Sequence, residues 1–243
     1  MNSAQNDVVD REYIPHYQFW GTLELSQQIS QRFSLDMDYH YRRQNSERNR
    51  LNIFEMPRWQ GLRLWVNFYL SDRVRIILSP FLLSNQVPTS YEEDIREQWI
   101  NEYRLTARVD YFSRLGTVDI MHRYGFERRQ RWDYLERRWH EYRVRYMLRF
   151  RFPLKFLSDN TKFTVQNETM INLGRFIANY NLFDQNRFYA GIEQKVADRI
   201  FITSAYLFSV EQIPFVDDFA VIHAISVTIT AQNLFGKALL SSD

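Results

Sequence analysis

Five histidines and a dense population of arginines and carboxylates are the residues of this chain best suited to chemistry. The histidines are His16, His40, His122, His140 and His223. None falls in an HExxH or HxxEH pair, the spacings that set two imidazoles on one helix face around zinc. The chain has no cysteine, which excludes thiolate metal sites, disulfides and a cysteine nucleophile. His40 follows Asp36 and Asp38 at intervals that put all three on one face of a strand. Such a trio can hold a cation or polarise a hydroxyl, although a satisfied polar cluster explains it more simply. Ser204, Ser209 and Ser226 are present, but none lies in a GxSxG turn. No enzyme activity, metal or cofactor is expected on these grounds.

The arginines carry the other chemistry. The 31 basic residues nearly balance 29 acidic ones, leaving a net charge of +2, which argues against a nucleic-acid partner. Only Lys155, Lys162, Lys195 and Lys237 are lysines, so 27 of the basic residues are arginine. Arginine is favoured where charges are paired and partly desolvated, because its planar fork grips a carboxylate at two points and is weakly hydrated. In YRVRYMLRFRF, residues 142–152, Arg143, Arg145, Arg149 and Arg151 alternate with an oily set that includes Val144, Tyr146, Phe150 and Phe152.

The elements that position such residues are strands. A period of two runs along most of the chain, as in FSLDMDYHYR, where Phe33, Leu35, Met37, Tyr39 and Tyr41 alternate with Ser34, Asp36, Asp38, His40 and Arg42. About eleven such segments are visible, near 17–29, 33–43, 54–70, 74–83, 97–112, 117–127, 138–152, 161–173, 187–196, 199–210 and 220–235. Short turns at Ser30–Arg32, Ser71–Arg73, Ser113–Gly116 and Ala197–Asp198 alternate with longer polar links such as RQNSERNRLN, RRQRWDYLERR and SVEQIPFVDD. That rhythm predicts an all-β, antiparallel up-and-down meander. No apolar run approaches the roughly 18 residues of a membrane helix. MNSAQNDVVDREYIPHYQ lacks the apolar core of a signal peptide, so a leader, if the chain is exported, is not present in this numbering.

Alternation does not say which face is wet. A soluble barrel turns its apolar face inward, and a transmembrane barrel turns it outward to lipid. About eleven long strands are many for a soluble core. Aromatic residues such as Tyr17, Phe19, Tyr39, Tyr41, Trp99, Tyr103, Tyr111 and Tyr124 gather towards segment ends, as at membrane–water interfaces. The last segment places Val221, Ile225, Val227, Ile229 and Phe235 on one face, similar to the closing strand of an outer-membrane barrel, although GKALLSSD follows it. A transmembrane β-barrel is therefore expected over residues 17–235, with an N-terminal periplasmic segment 1–16 and a tail 236–243. Bacterial barrels usually have an even strand count, so twelve strands are expected, or ten.

The chain resembles a family of bacterial outer-membrane β-barrels catalogued as a domain of unknown function. The resemblance rests on FWGTLELSQQISQRFSLDMDYHYR, RVDYFSRLGTVDIMHRYGFERR, YRVRYMLRFRFPL, FTVQNETMIN and FDQNRFYAGIEQKVADRIFITSAYLF, in that order. FDQNRFYAG, Phe183 to Gly191, is the most distinctive block. The resemblance implies the fold and a bacterial outer-membrane location, and it transfers no activity and no catalytic residues.

In such a barrel the polar face becomes the lumen. Its expected charge network begins with Glu24, Asp36, Asp38, Arg42, Glu102, Arg104, Arg108, Asp110, Asp119 and Arg123. It continues with Glu127, Glu141, Arg143, Arg145, Arg149, Arg151, Glu168, Arg187 and Glu193. Unpaired charges there are costly, so cross-strand pairing is expected, with carboxylate partners on adjacent strands for Arg145 and Arg149. A lumen packed in this way is largely plugged. The expected function is then a structural or accessory barrel, for instance a subunit of a larger outer-membrane complex. A small channel with anion preference is the alternative, ahead of an outer-membrane lipid-modifying hydrolase or a soluble ligand-binding barrel. The RRQRWDYLERR link supplies Arg128, Arg129, Arg131, Trp132, Arg137 and Arg138, which would reach the phosphates of lipopolysaccharide or an acidic partner protein. The plainer reading is that Glu136 and Glu141 answer those charges in a strand pair that extends beyond the bilayer.

Overall fold

The computed structural model describes residues 12–46, 48–87, 99–133, 135–173, 182–213 and 218–235. The strands are β1 (Tyr13–Ser30), β2 (Phe33–Gln44), β3 (Met56–Ser71), β4 (Val74–Gln86), β5 (Ile100–Leu115), β6 (Val118–Asp133), β7 (Arg138–Pro153), β8 (Thr161–Leu173), β9 (Phe183–Ala197), β10 (Ile200–Gln212) and β11 (Phe219–Gln232). Each pairs antiparallel with its neighbour in sequence, and β1 closes the barrel on β11.

That closure corrects the expected count of twelve. Among the described residues the barrel has eleven strands, and the parity problem is solved by a parallel seam. Successive hairpins reverse the chain each time, so the first and eleventh strands run the same way and can only pair in parallel. The seam aligns Tyr13 with Phe219 and continues in register to Ser26 with Gln232. Closure leaves no edge strand exposed.

Other boundaries shift for identifiable reasons. Tyr13–His16, expected in an N-terminal segment, belong to β1, and the last strand ends at Gln232; residues 1–11 and 236–243 lie outside the described set. The blurred alternation around Ile76, Ile77 and Leu78 precedes an extra residue between Ser79 and Leu83 of β4. Pro80, which has no N–H to give a ladder, sits in this bulge, and its carbonyl accepts the Tyr103 hydroxyl at 2.9 Å. RRQRWDYLERR is mostly strand, with only 134–137 left to connect β6 to β7. Asp133 makes so tight a connection possible, because its Oδ1 accepts the backbone N–H groups of Leu135 (3.0 Å) and Arg137 (2.9 Å).

The connections 31–32, 72–73, 116–117, 154–160 and 198–199 share one end of the barrel, the turn end. The strand ends that flank 45–55, 87–99, 134–137, 174–182 and 213–218 share the other, the loop end. Leu23, Met37, Tyr39, Leu62, Val109, Phe126, Val144, Phe188, Ile225 and Ile229 are exposed on the outer surface. Asp38, Arg63, Glu102, Arg104, Asp110, Glu127, Arg145 and Glu168 are buried inside. A closed apolar exterior around a charged interior suits lipid outside and polar groups within. One apolar cluster does face inward, where Trp20, Leu207, Ala220, Ile222 and Ala224 pack beneath the seam.

Candidate functional site

The lumen is built by the period-two rule, which stacks charges at every second residue of β5, β6 and β7 beside those of their neighbours. Glu102 and Glu127 are the two anchors, and both are fully buried. Glu102 accepts Arg104 Nε at 2.5 Å, Arg129 Nη2 at 3.0 Å and Arg131 Nε at 2.9 Å. Glu127 accepts Arg143 at 2.6 and 2.8 Å, Arg145 at 2.5 Å and Arg104 at 3.3 Å. The chain of contacts continues from Arg145 to Glu168 at 2.7 Å and from Arg143 to Asp184 at 2.7 Å. Arg129 and Arg131 both reach Glu141, at 3.3 and 3.2 Å. Nearer the turn end, Asp110 holds Arg75 at 2.6 Å and Arg123 at 2.7 Å. Each buried carboxylate serves several guanidiniums, which compensates the desolvation that an isolated buried ion would suffer.

The remaining expected residues depart from the pattern in instructive ways. Arg145 has its carboxylates on both adjacent strands, but Arg149 has none within 4.0 Å among the described residues, which corrects that expectation. Its cross-strand neighbours are Met121 and Gln166, neither of them acidic, and its Nη2 rests 3.1 Å from the Met121 sulfur. Asp119 is not part of the central network, because it sits at the turn-end mouth and pairs with Arg114 across the hairpin at 2.7 Å. Arg151 and Glu193 meet at 3.4 Å, and Arg187 approaches Glu211 at 3.6 Å.

Glu24, Asp36 and Asp38 form an acidic wall on β1 and β2. Asp36 accepts Ser26 (2.6 Å) and Asn67 (2.7 Å). Asp38 accepts Trp65 Nε1 at 2.7 Å and lies 3.4 Å from His40, whose Nδ1 is 3.0 Å from the Thr22 hydroxyl. His40 thus joins a carboxylate and a hydroxyl in a satisfied polar cluster. His122 and His223 bond to Tyr146 (2.9 Å) and Tyr206 (2.6 Å) on the outer face. Among the described residues no histidine bonds to Ser204, Ser209 or Ser226, and no three His, Asp or Glu side chains are placed to hold a metal.

The six residues expected in an exposed basic loop divide by parity. Arg129 and Arg131 turn inward and are buried in the Glu102 network, which removes them from any outer surface. Arg128, Arg137 and Arg138 are exposed at the loop end, and Trp132 is half-buried.

Three tryptophans are the unexpected lumen residues. Arg42 lies 3.5 Å above the Trp20 ring and 4.8 Å from that of Trp59. Arg108 and Arg63 lie 4.0 and 4.7 Å from the ring of Trp65. Trp65 shares the parity of Arg63 and Asn67, so alternation along β3 turns it inward. Arg58, by contrast, turns inward at a register shift opposite Arg42 and Arg43 that no sequence feature announces.

These walls enclose a cavity of about 910 Å³ whose lining runs from Gln28 and Gln232 at the turn end to Arg58, Gln86 and Gln212 at the loop end. Among the described residues it is lined by fifteen basic and seven acidic side chains, while Glu102, Asp110 and Glu127 lie behind their arginines and do not reach it. The surface offered to a solute is therefore cationic even though the wall behind it is paired.

No curated protein matches the chain. Among solved structures, the NanC porin in its rhombohedral crystal form is similar, at 9% identity and a TM-score of 0.49, over 79% of this chain and 85% of that one. The family described as Protein of unknown function (DUF2490) matches residues 17–217, which take in all of the lumen network up to β10, and the chain belongs to that family.

Proposed function

We propose that the protein is an outer-membrane barrel that passes small anions through a narrow, arginine-lined lumen. The observation that carries this reading is the cavity lining, with fifteen basic side chains against seven acidic. Cations with no carboxylate within 4.0 Å among the described residues are spaced along the lumen, with Arg42 in the loop-end half, Arg63 and Arg108 near the middle, and Arg149 towards the turns. A series of sites that each bind weakly allows an ion to enter and to leave. The Glu102 and Glu127 networks, expected to plug the lumen, hold their arginines against the β5–β7 wall, which narrows the passage without filling it. Reconstitution into planar bilayers tests this. We expect discrete conductance steps and, across a potassium chloride gradient, a reversal potential displaced towards chloride. Folded protein that gives no steps returns the plugged, accessory barrel to first place.

Longer loops face outward in such barrels, so the loop end is taken as the outer one; β1 starts there, which puts Tyr13 at the outer end and not in the periplasmic segment expected. There Arg128 and Arg138 present exposed guanidiniums suited to the phosphates of lipopolysaccharide, while Arg137 is paired with Asp133 at 2.6 Å. Replacing Arg128 and Arg138 with alanine should reduce the lipopolysaccharide that remains bound on purification.

A further inference from the structure

We infer that Arg63, Trp65 and Arg108 form an oxyanion-binding station in the middle of the lumen, one that takes a carboxylate, phosphate or sulfate group. The inference rests on the channel reading only for the route by which the anion arrives.

The station follows from what each neighbour is already doing. Arg63 and Arg108 are exposed by only 7% and 8%, and neither has a carboxylate within 4.0 Å among the described residues. Asp38 stands directly across the ladder from Arg63, but it is engaged by Trp65 Nε1 at 2.7 Å and by His40. Asp110, two residues from Arg108, is held by Arg75 and Arg123. Opposite Arg108 on β6 is Gly125, which has no side chain to offer. On β4, which separates the two arginines, the inward residues between their levels are Ile77, Ser79 and Leu82, none of them charged, and Arg75, nearer the turns, is held by Asp110. The sequence thus places two buried cations together and commits Asp38, Asp110 and Glu127 to other partners.

The tryptophan explains how these cations are tolerated and what they retain. A guanidinium stacked on an indole is stabilised through its flat face, whereas its N–H donors point outward in its own plane. Stacking therefore leaves the hydrogen-bonding edge free. The Nε atoms of both Arg63 and Arg108 are buried without a hydrogen-bond partner among the described residues. Their guanidinium carbons lie 4.7 and 4.0 Å from one ring centre, so the two are less than about 9 Å apart. The centre of an oxyanion held in a fork lies about 4 Å from the guanidinium carbon, and both arginines line the same cavity, so an anion in the fork of one lies in the field of the other. Asp38 fixes the indole through its 2.7 Å bond, which pre-organises the platform.

Gly125 supplies room. A Cβ built on it would lie 3.5 Å from Arg108 Cγ and 3.5 Å from Arg145 Cβ, so a side chain larger than alanine would enter the notch beside Arg108.

Titration calorimetry on the folded barrel in detergent, at constant ionic strength, tests the station with inorganic phosphate in one arm and acetate in the other. Saturable binding of one anion per barrel is expected, and the tighter arm distinguishes a tetrahedral from a planar group. Arg63→Met and Arg108→Met should each weaken it about tenfold or more, the loss of a charge-assisted contact. Gly125→Val should weaken it comparably with both arginines in place, and Arg114→Met, at the turn-end mouth, should leave it unchanged. Removing an unpartnered buried cation relieves desolvation, so the methionine variants should keep the heat-resistant band of a folded barrel; if either does not, Gly125→Val decides. Wild-type protein without saturable binding, or variants that bind as tightly as wild type, overturn the station. Lost binding with anion-selective conductance intact rejects the station alone, and binding without conductance rejects the channel alone.

Discussion

Glu127 Oε2 takes two hydrogen bonds from Arg143, at 2.6 and 2.8 Å, directly across the β6–β7 ladder and out of contact with water. The same carboxylate also serves Arg145 and Arg104. Replacing it with glutamine removes a charge shared by three buried guanidiniums and leaves each with a single carboxylate, Glu102 for Arg104, Asp184 for Arg143 and Glu168 for Arg145. We expect Glu127→Gln to cost about 3–5 kcal/mol, the range for removing one partner of a buried ion pair. Urea unfolding in lipid vesicles measures this. Exchanging Glu127 and Arg143 together for leucine should cost less than the sum of the two single changes, which reports their coupling.

Arg149 predicts the opposite response. It has no carboxylate to strand, only the Met121 sulfur at 3.1 Å. Arg149→Met should leave stability unchanged or raised in the same urea experiment while it reduces the preference for chloride in bilayer recordings. A clear loss of stability would mean that the cation is compensated after all.

The outer face is tested by its own alternation. Val144, exposed between the buried Arg143 and Arg145, points away from the lumen near the middle of β7. An arginine there meets lipid instead of carboxylates, and about 2–4 kcal/mol of destabilisation is expected for Val144→Arg. If Val144→Arg proves neutral in vesicles, the assignment of inside and outside is wrong.

The seam is open to covalent test because the chain carries no cysteine of its own. Leu23 and Ile229 are aligned across the parallel pair, both exposed on the outer face. Neighbouring strands lie about 4.8 Å apart, within the Cα range that a disulfide spans. Leu23→Cys combined with Ile229→Cys should give a cross-link on oxidation, visible as altered mobility of the heat-unfolded chain and reversed by reductant. No cross-link in folded protein would reject parallel closure.

Much of this architecture was legible because a barrel strand repeats one simple instruction. Alternation located eleven segments, assigned Arg143, Arg145, Glu127 and Glu168 to one interior, and turned Val144 and Tyr146 outward, as observed. What it missed has local causes. The eleven strands depart from the even count usual in barrels, and nothing in a sequence distinguishes a parallel closure from a missed strand. Arg129 and Arg131 resemble solvated loop because clustered charges look like exposed surface, and the Asp133 turn that lets β6 and β7 run so far is a side-chain effect. The partners of individual arginines depend on register, which only the paired ladder reveals: Arg149 falls opposite Met121, and Arg145 falls within reach of two carboxylates.

The parallel seam also bears on the order of assembly. Every other strand pair is adjacent in sequence, so a short connection can start it and it can zip from there. β1 and β11 are separated by the whole circumference, with Tyr13 meeting Phe219 only after nearly all of the intervening chain is in place. Loop closure over such a separation is entropically slow, and no turn guides its register. The last event in forming this barrel is then the meeting of its first and last strands, and the small inward residues there, Ala220, Ala224 and Ser226, are what a late join between finished edges can accommodate.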